Sequence, residues 1–543
     1  MIKNIFFRTI LFLLLTLGLK AYSQYTNIPL GYNFNNFLGA EIHQKINHTS
    51  FKPLITNSVN INIDSLIESN FYSDNRILSH RFFNKHLMRI KGQDYLINAS
   101  LISNLALGYE SYDSKNTFTN TRGFLIDGYI GDKLSFQTSF VENQSVFPNY
   151  VDSLIRTPTQ DYVIPGQGRG RTYYNDGFDY AKSSGFLSFE ASENFTIQFG
   201  HGKHFIGDGY RSLLLSDNSF NYPFLRLRTH FGKFEYTNLY AELQDMKNYL
   251  SYDNGYDYMG YAKKYMSSHF LSFSVNSKLS LGIYESVIWR NNHALGANGF
   301  DINYLNPIIF LRPVEFSINS PDNVLMGLNL KYEANAKSFL FAQIVLDEFR
   351  LADLKKRNNH FANKYGYQIG YKCFDFLSIP NLSFHLEQNF ARPFTYSHWN
   401  NANYGHYNEE LAHPLGANFI ENIILLNYRF KRFYSNFQYS FIKYGADYPN
   451  DSLSFGSNIF VEYTNPVSDS PSGLIIGNDL YAGNKTKVNF LKLNTGIVLN
   501  PTTNLKLEFS ILSRILESET NESKTLFYSF SLRSDLFNHY YDF

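Results

Sequence analysis

The chain holds one cysteine, Cys373, and two tryptophans in 543 residues. A lone thiol makes no internal disulfide, so the fold must hold without covalent staples. Past the N-terminus there is no continuous apolar run near the roughly 20 residues that a membrane-spanning helix needs. The formal net charge is +1, and so carries no basic excess of the kind that nucleic acid attracts. Catalytic signatures are missing too. There is no Gly-x-Ser-x-Gly elbow, no zinc motif and no setting for a cysteine nucleophile. Glu409 and Glu410 are adjacent and so point apart, unlike a glycosidase pair facing across a cleft. These absences argue against an enzyme and against a bound cofactor.

What is present begins with a secretory leader. Lys3 and Arg8 precede the apolar stretch Ile10 to Leu19, and Ala21-Tyr22-Ser23 follows with small residues at the ends. The order charged, apolar, small-x-small predicts a signal peptide over 1–23, cleaved after Ser23. The remainder is rich in Tyr (42) and Phe (51), which bring aromatic content to 17%, yet mean hydropathy is −0.29. A barrel that shows aromatics to lipid and polar groups to its lumen reconciles the two numbers.

Alternation carries that reading further. Phe433, Phe437, Tyr439 and Phe441 share one parity, and Tyr434, Asn436, Gln438 and Ser440 take the other. Leu505, Leu507, Phe509 and Ile511 alternate with Lys506, Glu508 and Ser510 in the same way. Tyr365, Tyr367, Ile369, Tyr371 and Cys373 alternate with Gly366, Gln368, Gly370 and Lys372. Successive strand residues face opposite sides, so each segment has an apolar and a polar face. The pattern predicts strands near 95–110, 120–130, 134–143, 183–190, 195–201, 223–230, 234–243, 268–276, 279–289, 323–333, 338–347, 364–374, 382–391, 419–430, 433–443, 485–498, 504–515 and 525–533. That is about 18, an even number suited to a bacterial outer-membrane barrel. Tight turns such as Gly131-Asp132-Lys133 and Lys431-Arg432 alternate with long polar loops, notably 144–182, 290–322, 392–418 and 444–484. A soluble propeller would repeat a motif every 40–50 residues or so, and none is seen.

The expected fold is therefore all-β, a transmembrane antiparallel outer-membrane barrel over 95–543. A short mixed or helical periplasmic segment over 24–94 precedes it, and the long loops lie at the cell surface. Phe543, with Tyr541 at the same parity, reads as an aromatic barrel-insertion signal.

Three loop stretches combine aromatic, charged and amide groups. His201 to Ser212 contains Asp208, Tyr210 and Arg211 among three glycines. Ala391 to His398 contains Arg392, Tyr396 and His398 and continues to Gly416. Pro165 to Arg171 is glycine-rich with two arginines but lacks a phosphate-loop ending. Aromatic faces beside hydrogen-bonding groups suit a sugar, so Asp208, Tyr210, Arg211, Arg392, Tyr396 and His398 are the candidate glycan contacts. The competing reading of the first stretch is a loop folded into the lumen and pinned by its own Arg–Asp pairs. His201 and His204 alone are weak evidence for a metal, and none is expected.

The stretches GHGKHFIGDGYRSLLLSDNSFNYPFLRLRT, Gly200 to Thr229, and NFARPFTYSHWNNANYGHYNEELAHPLGANF, Asn389 to Phe419, resemble outer-membrane proteins of the RemB-like gliding-motility family. That family is similar in turn to Wzi-like capsule-assembly proteins. The resemblance spans roughly 30–540. It implies a non-enzymatic surface barrel that binds or organises capsular polysaccharide and supports gliding, with outer-membrane lipid and motility or secretion machinery as further partners. A diffusion or uptake porin and a structural part of a motility machine are the alternative functions.

Overall fold

The computed structural model describes residues 27–45, 49–55, 66–67, 70–71, 81–174, 176–249, 260–293, 296–297, 299–307, 310–311, 313–314, 317, 322–398, 401–448, 453–461 and 474–543. The expected signal peptide, 1–23, lies outside them, as does most of the expected helical stretch over 64–86.

Eighteen antiparallel strands close into one barrel. They are β1 Tyr95–Glu110, β2 Lys115–Ile130, β3 Leu134–Val146, β4 Gly177–Ser192, β5 Phe195–Gly202, β6 Tyr222–Phe231, β7 Phe234–Tyr249, β8 Tyr261–Ser274 and β9 Leu279–Arg290. The second half is β10 Asn323–Asn335, β11 Ser338–Glu348, β12 Lys364–Cys373, β13 Leu382–Ala391, β14 Phe419–Phe430, β15 Phe433–Ala446, β16 Asn484–Asn500, β17 Leu505–Ser518 and β18 Glu522–Ser534. Each strand pairs with the next, and β18 returns to β1 in register from Phe527↔Glu110 to Arg533↔Asn104. Closure leaves no open sheet edge, which is the condition for placing strands in hydrocarbon. No described helix is long and apolar enough to cross a membrane.

Alternation falls as the sequence predicts. Along β1, Leu96, Asn98, Ser100 and Ile102 are buried inward, while Leu101, Leu105, Leu107 and Tyr109 are exposed outward. On β10, Leu328, Leu330 and Tyr332 face out, and Asn329 and Lys331 are buried in the lumen. Cys373 sits on the outer side and is partly buried. Outward Phe124, Phe140, Phe199, Phe430, Phe433 and Phe530 complete an apolar wall of the kind lipid solvates.

Several strands run further than expected at the end where the loops are long. β4 begins at Gly177, and its inward Phe178 and Tyr180 pack on Val151 and Ile155 of α1, the helix Asn149–Ile155 in the β3–β4 loop. An apolar residue inside the lumen breaks the alternation, so the sequence pattern faded where the loops fold inward. The loop asymmetry holds with two exceptions: β1–β2 and β17–β18 are joined at the long-loop end by only 111–114 and 519–521.

Two segments differ from expectation. Residues 24–94 were expected in the periplasm, at most against the barrel mouth, yet 27–45 and 49–55 pack inside the barrel. Ile28, Phe34, Leu38 and Leu54 share a core with wall residues Ile102, Leu125, Val141, Tyr434 and Val498. Residues 535–543 follow the last expected strand, 525–533, and turn back into the lumen. Asp542 meets Arg211 there, and the Phe543 carbonyl oxygen accepts from Arg514 Nε at 3.0 Å. Their aromatic residues are spent on interior packing, since Tyr540 and Tyr541 side chains have lumenal partners.

Candidate functional site

The interior is built from four segments: 27–55, loop 203–221, loop 392–418 and tail 535–543. Loop 203–221 descends from the long-loop end on a turn rich in glycine. Gly207 has φ +135°, and a Cβ there would lie 2.5 Å from the Gln343 amide, so only glycine lets the backbone pass so near the wall. Phe51 and Lys52 pair with Ile206 and Phe205, which ties this loop to the N-terminal segment.

Below that turn lies a buried ionic network. Arg211, 1% exposed, donates from Nη2 to Glu421 Oε1 at 3.1 Å and from Nε to Glu421 Oε2 at 3.3 Å. The same Nη2 lies 3.1 Å from Asp542. Burial opposes the charge, but Asp542 and Glu421 outweigh it and hold the guanidinium above its ordinary pKa. The Arg211 and Tyr210 backbone N–H groups both donate to Glu387, at 3.1 and 2.7 Å. His385 Nε2 donates to Glu387 at 3.0 Å, which leaves Nδ1 to accept from the Tyr32 hydroxyl at 2.8 Å. Glu421 also accepts from His413 Nε2 at 2.7 Å. Two wall carboxylates therefore collect donors from loops 203–221 and 392–418 and from the wall, and Tyr32 and Asp542 join the network through His385 and Arg211. Leaving either uncompensated would be costly, which is why the network is complete around them.

Above it sits an apolar and tyrosine layer. Leu213, Leu214 and Leu215 are fully buried among Phe224, Phe270, Tyr284 and Leu411. Tyr396 and Tyr404 donate to the carbonyls of Leu213 and Leu214, at 2.8 and 2.7 Å. Loop 392–418 is thus bolted onto loop 203–221 through its tyrosines.

The six candidate residues divide accordingly. Tyr210 and Arg211 meet in the ionic network, where Tyr210 Oη donates to Asp542 at 2.9 Å. Asp208 accepts from Ser50 Oγ at 2.6 Å, and Tyr396 belongs to the tyrosine layer. His398 is buried at 7% exposure. All five are interior groups. Arg392 alone reaches the rim: it follows the outward-facing Phe390 on β13, and its guanidinium lies 5.6 Å from the Tyr365 ring. Arg169, in the glycine-rich stretch, is exposed and paired with Asp161 at 3.0 Å. Sequence reasoning passed over Glu387, Glu421 and Gln343. Their signal was available: an acid or amide at lumen parity inside a strand has to be paid for by a partner.

A second buried acid lies in loop 392–418. Glu409 Oε1 accepts from Gly166 N–H at 2.6 Å, and burial pushes its carboxyl up to about 8 despite Lys203 and that N–H. Nearby, His406 is lowered to about 3 by burial; its Nδ1 accepts from Gln244 N–H at 3.0 Å. Between the tail and β1–β3 and β15–β18 remains a cavity of ≈ 270 Å³ lined by Asn104, Thr121, Asn143, Asn436, Gln438 and Asn494, among others. Among the described residues no cluster of metal-ligating side chains occurs.

Fold and interior together define a transmembrane outer-membrane β-barrel with loops, residues 27–45 and 49–55, and the tail 535–543 packed in its lumen. The chain is similar in structure to the Escherichia coli outer-membrane protein Wzi, a carbohydrate-binding β-barrel involved in group 1 capsule assembly. The likeness covers 93% of this chain and 99% of that one, with TM-score 0.50 and 11% identity. Pseudomonas aeruginosa OprD aligns over 80% of this chain and 94% of its own, with TM-score 0.39 and 9% identity. Acinetobacter baumannii OccAB2 aligns over 80% and 97%, with TM-score 0.41 and 10% identity. The sequence matches no protein-family model and no curated protein.

Proposed function

We propose that this chain is a non-enzymatic outer-membrane barrel that binds or organises capsular polysaccharide at the cell surface, and that it supports gliding as a RemB-like protein. The observation that carries the reading is the filled interior: loops 203–221 and 392–418 interlock through Glu387, Glu421 and the tyrosine layer, and Tyr32 and Asp542 join them through His385 and Arg211, so these loops rest on a packed base. A rigid, aromatic-rich platform loses little entropy on holding a chain of sugars. Arg392 is the residue of the six with a place at the rim, and is the proposed glycan contact. Asp208, Tyr210, Arg211, Tyr396 and His398 serve the site by fixing the loops that present it.

The test is binding of the purified, detergent-folded protein to the cell's capsular and lipopolysaccharide fractions. Wild type is expected to bind, and Arg392→Ala to bind about tenfold more weakly, the worth of a charge-assisted hydrogen bond. Failure of wild type to bind either fraction would sink the proposal. The cavity beside β1–β3 favours one second reading, a narrow uptake channel. Single-channel conductance distinguishes them, because a large steady conductance belongs to a porin.

A further inference from the structure

The outer wall carries a feature that lipid-facing surfaces avoid. On the outward parity of β15 and β16, Lys443 and Lys487 stand directly opposite each other, and Lys485 follows at the long-loop end. Like charges directly across a strand pair repel. Lys487 has Glu517 opposite on β17, but no ion pair forms at Lys443, Lys485 or Lys487 among the described residues. Lys443 instead lies 4.2 Å from the Tyr481 ring.

The adjoining rim adds to this charge. The β11–β12 loop, 349–363, and the end of the β15–β16 loop, 474–483, are joined backbone to backbone. Phe361 N–H donates to Ile475 O at 3.1 Å, and Gly477 N–H to Asn358 O at 2.9 Å. Arg392 Nη2 reaches the Asn478 carbonyl at 3.4 Å. Within 349–363, 392, 443 and 474–487 the sequence places eight cations (Arg350, Lys355, Lys356, Arg357, Arg392, Lys443, Lys485, Lys487) against two acids, Asp353 and Asp479. The same loops expose Phe349, Leu351, Leu354, Leu474, Ile475 and Ile476. Within the arc Asp353 pairs with Arg350 at 3.2 Å and lies 3.7 Å from Lys356, so two carboxylates serve eight cations; elsewhere Arg122, Lys263 and Lys524 each have an acid of their own, in Glu142, Glu242 and Glu522.

We infer that this arc, above β11–β16, is a docking site for a phosphorylated lipid of the leaflet at the long-loop end. The apolar side chains continue the lipid-facing wall upward, and the cations stand at the height where headgroups begin. Phosphate groups there relieve the Lys443–Lys487 repulsion, which Glu517 opposite Lys487 and the Tyr481 ring beside Lys443 offset without an ion pair. The arrangement is one-sided, so the lipid is held at one arc of the barrel and not around its circumference.

The experiment is native mass spectrometry of the full chain folded in detergent, offered either bis-phosphorylated lipid A or its dephosphorylated form. Wild type is expected to retain the phosphorylated lipid and to release the other. The variant Lys355→Gln/Lys356→Gln/Lys443→Gln/Lys485→Gln/Lys487→Gln should retain it at least about tenfold less, since each surface cation adds to headgroup affinity. A control, Arg122→Gln/Lys263→Gln/Lys524→Gln, should behave as wild type. Heat-modified gel mobility reports that each variant still forms the barrel. Equal retention of both lipids, a five-site variant that binds like wild type, or a control that loses as much would each overturn the inference.

Discussion

Arg211 shows how much one side chain carries. Among the described residues it is the one cation paired with both Glu421 and Asp542, and so links loop 203–221 to the wall and to the tail. Arg211→Ala leaves two buried carboxylates facing each other without a cation. The expected cost is about 3–5 kcal/mol in interior stability, typical of breaking a buried ion pair from one side. The barrel itself, held by strand pairing, should persist. Thermal unfolding and limited proteolysis of the folded variant check this: earlier cleavage within 203–221 is expected with unchanged β content, and a wild-type digestion pattern would count against it. Arg211→Lys should fall between, because a point charge cannot grip Glu421 with two donors. The sequence already held half of this in the reading of a loop pinned by its own Arg–Asp pairs. The pairing acids are Glu421 and Asp542, 210 and 331 residues away, which no local pattern can reveal.

Loop 392–418 is the element whose docking responds to pH. The Glu409 carboxyl is raised from 4.5 to about 8 when the loop is docked. A raised acid contributes most below its unfolded pKa, and its contribution is lost as pH rises through the docked value. His406 works in the opposite sense: lowered to about 3, it contributes above 6.5 and fades as pH falls. Between about pH 4.5 and 6.5 the two offset one another, so protease protection of the loop should decline between about pH 6.5 and 8. Glu409→Gln should flatten that decline while leaving the acid-side loss due to His406. A pH-independent wild-type loop would contradict the assignment. Elements of this kind were the least legible from sequence. The wall strands declared themselves because lipid on one side and a polar lumen on the other impose a period of two. The interior loops touch protein on all sides, so no period survives. The triple Leu213-Leu214-Leu215 in a polar loop was the clearest local sign of burial, and it went unread.

At the level of the whole molecule, the wall and the filling are separable. Every wall strand has two neighbours, and the tail begins only after β18 has paired with β1. Deleting 535–543 should leave the barrel closed, join the ≈ 270 Å³ cavity to the volume the tail occupied, and remove the partner of Arg211. In a planar bilayer, wild type is expected to conduct little and the truncated chain markedly more. Equal conductance from the two would mean that the tail is not what fills the lumen.

The tail and the N-terminal segment meet inside. Tyr32 N–H donates to Asn538 Oδ1, a contact spanning 506 positions of the chain, and Asn538 Nδ2 returns a bond to the Leu30 carbonyl. Contacts of such sequence separation are slow to form, because almost the entire chain must be arranged before they gain anything. The interior is consequently the last part of the molecule to mature. A barrel halted before that step would already have its wall, its outward Phe and Leu side chains and its seam, yet hold a hollow centre. For the cell, the interval between wall and filling is a period in which the membrane carries an unstoppered hole, and its brevity depends on two chain ends finding each other.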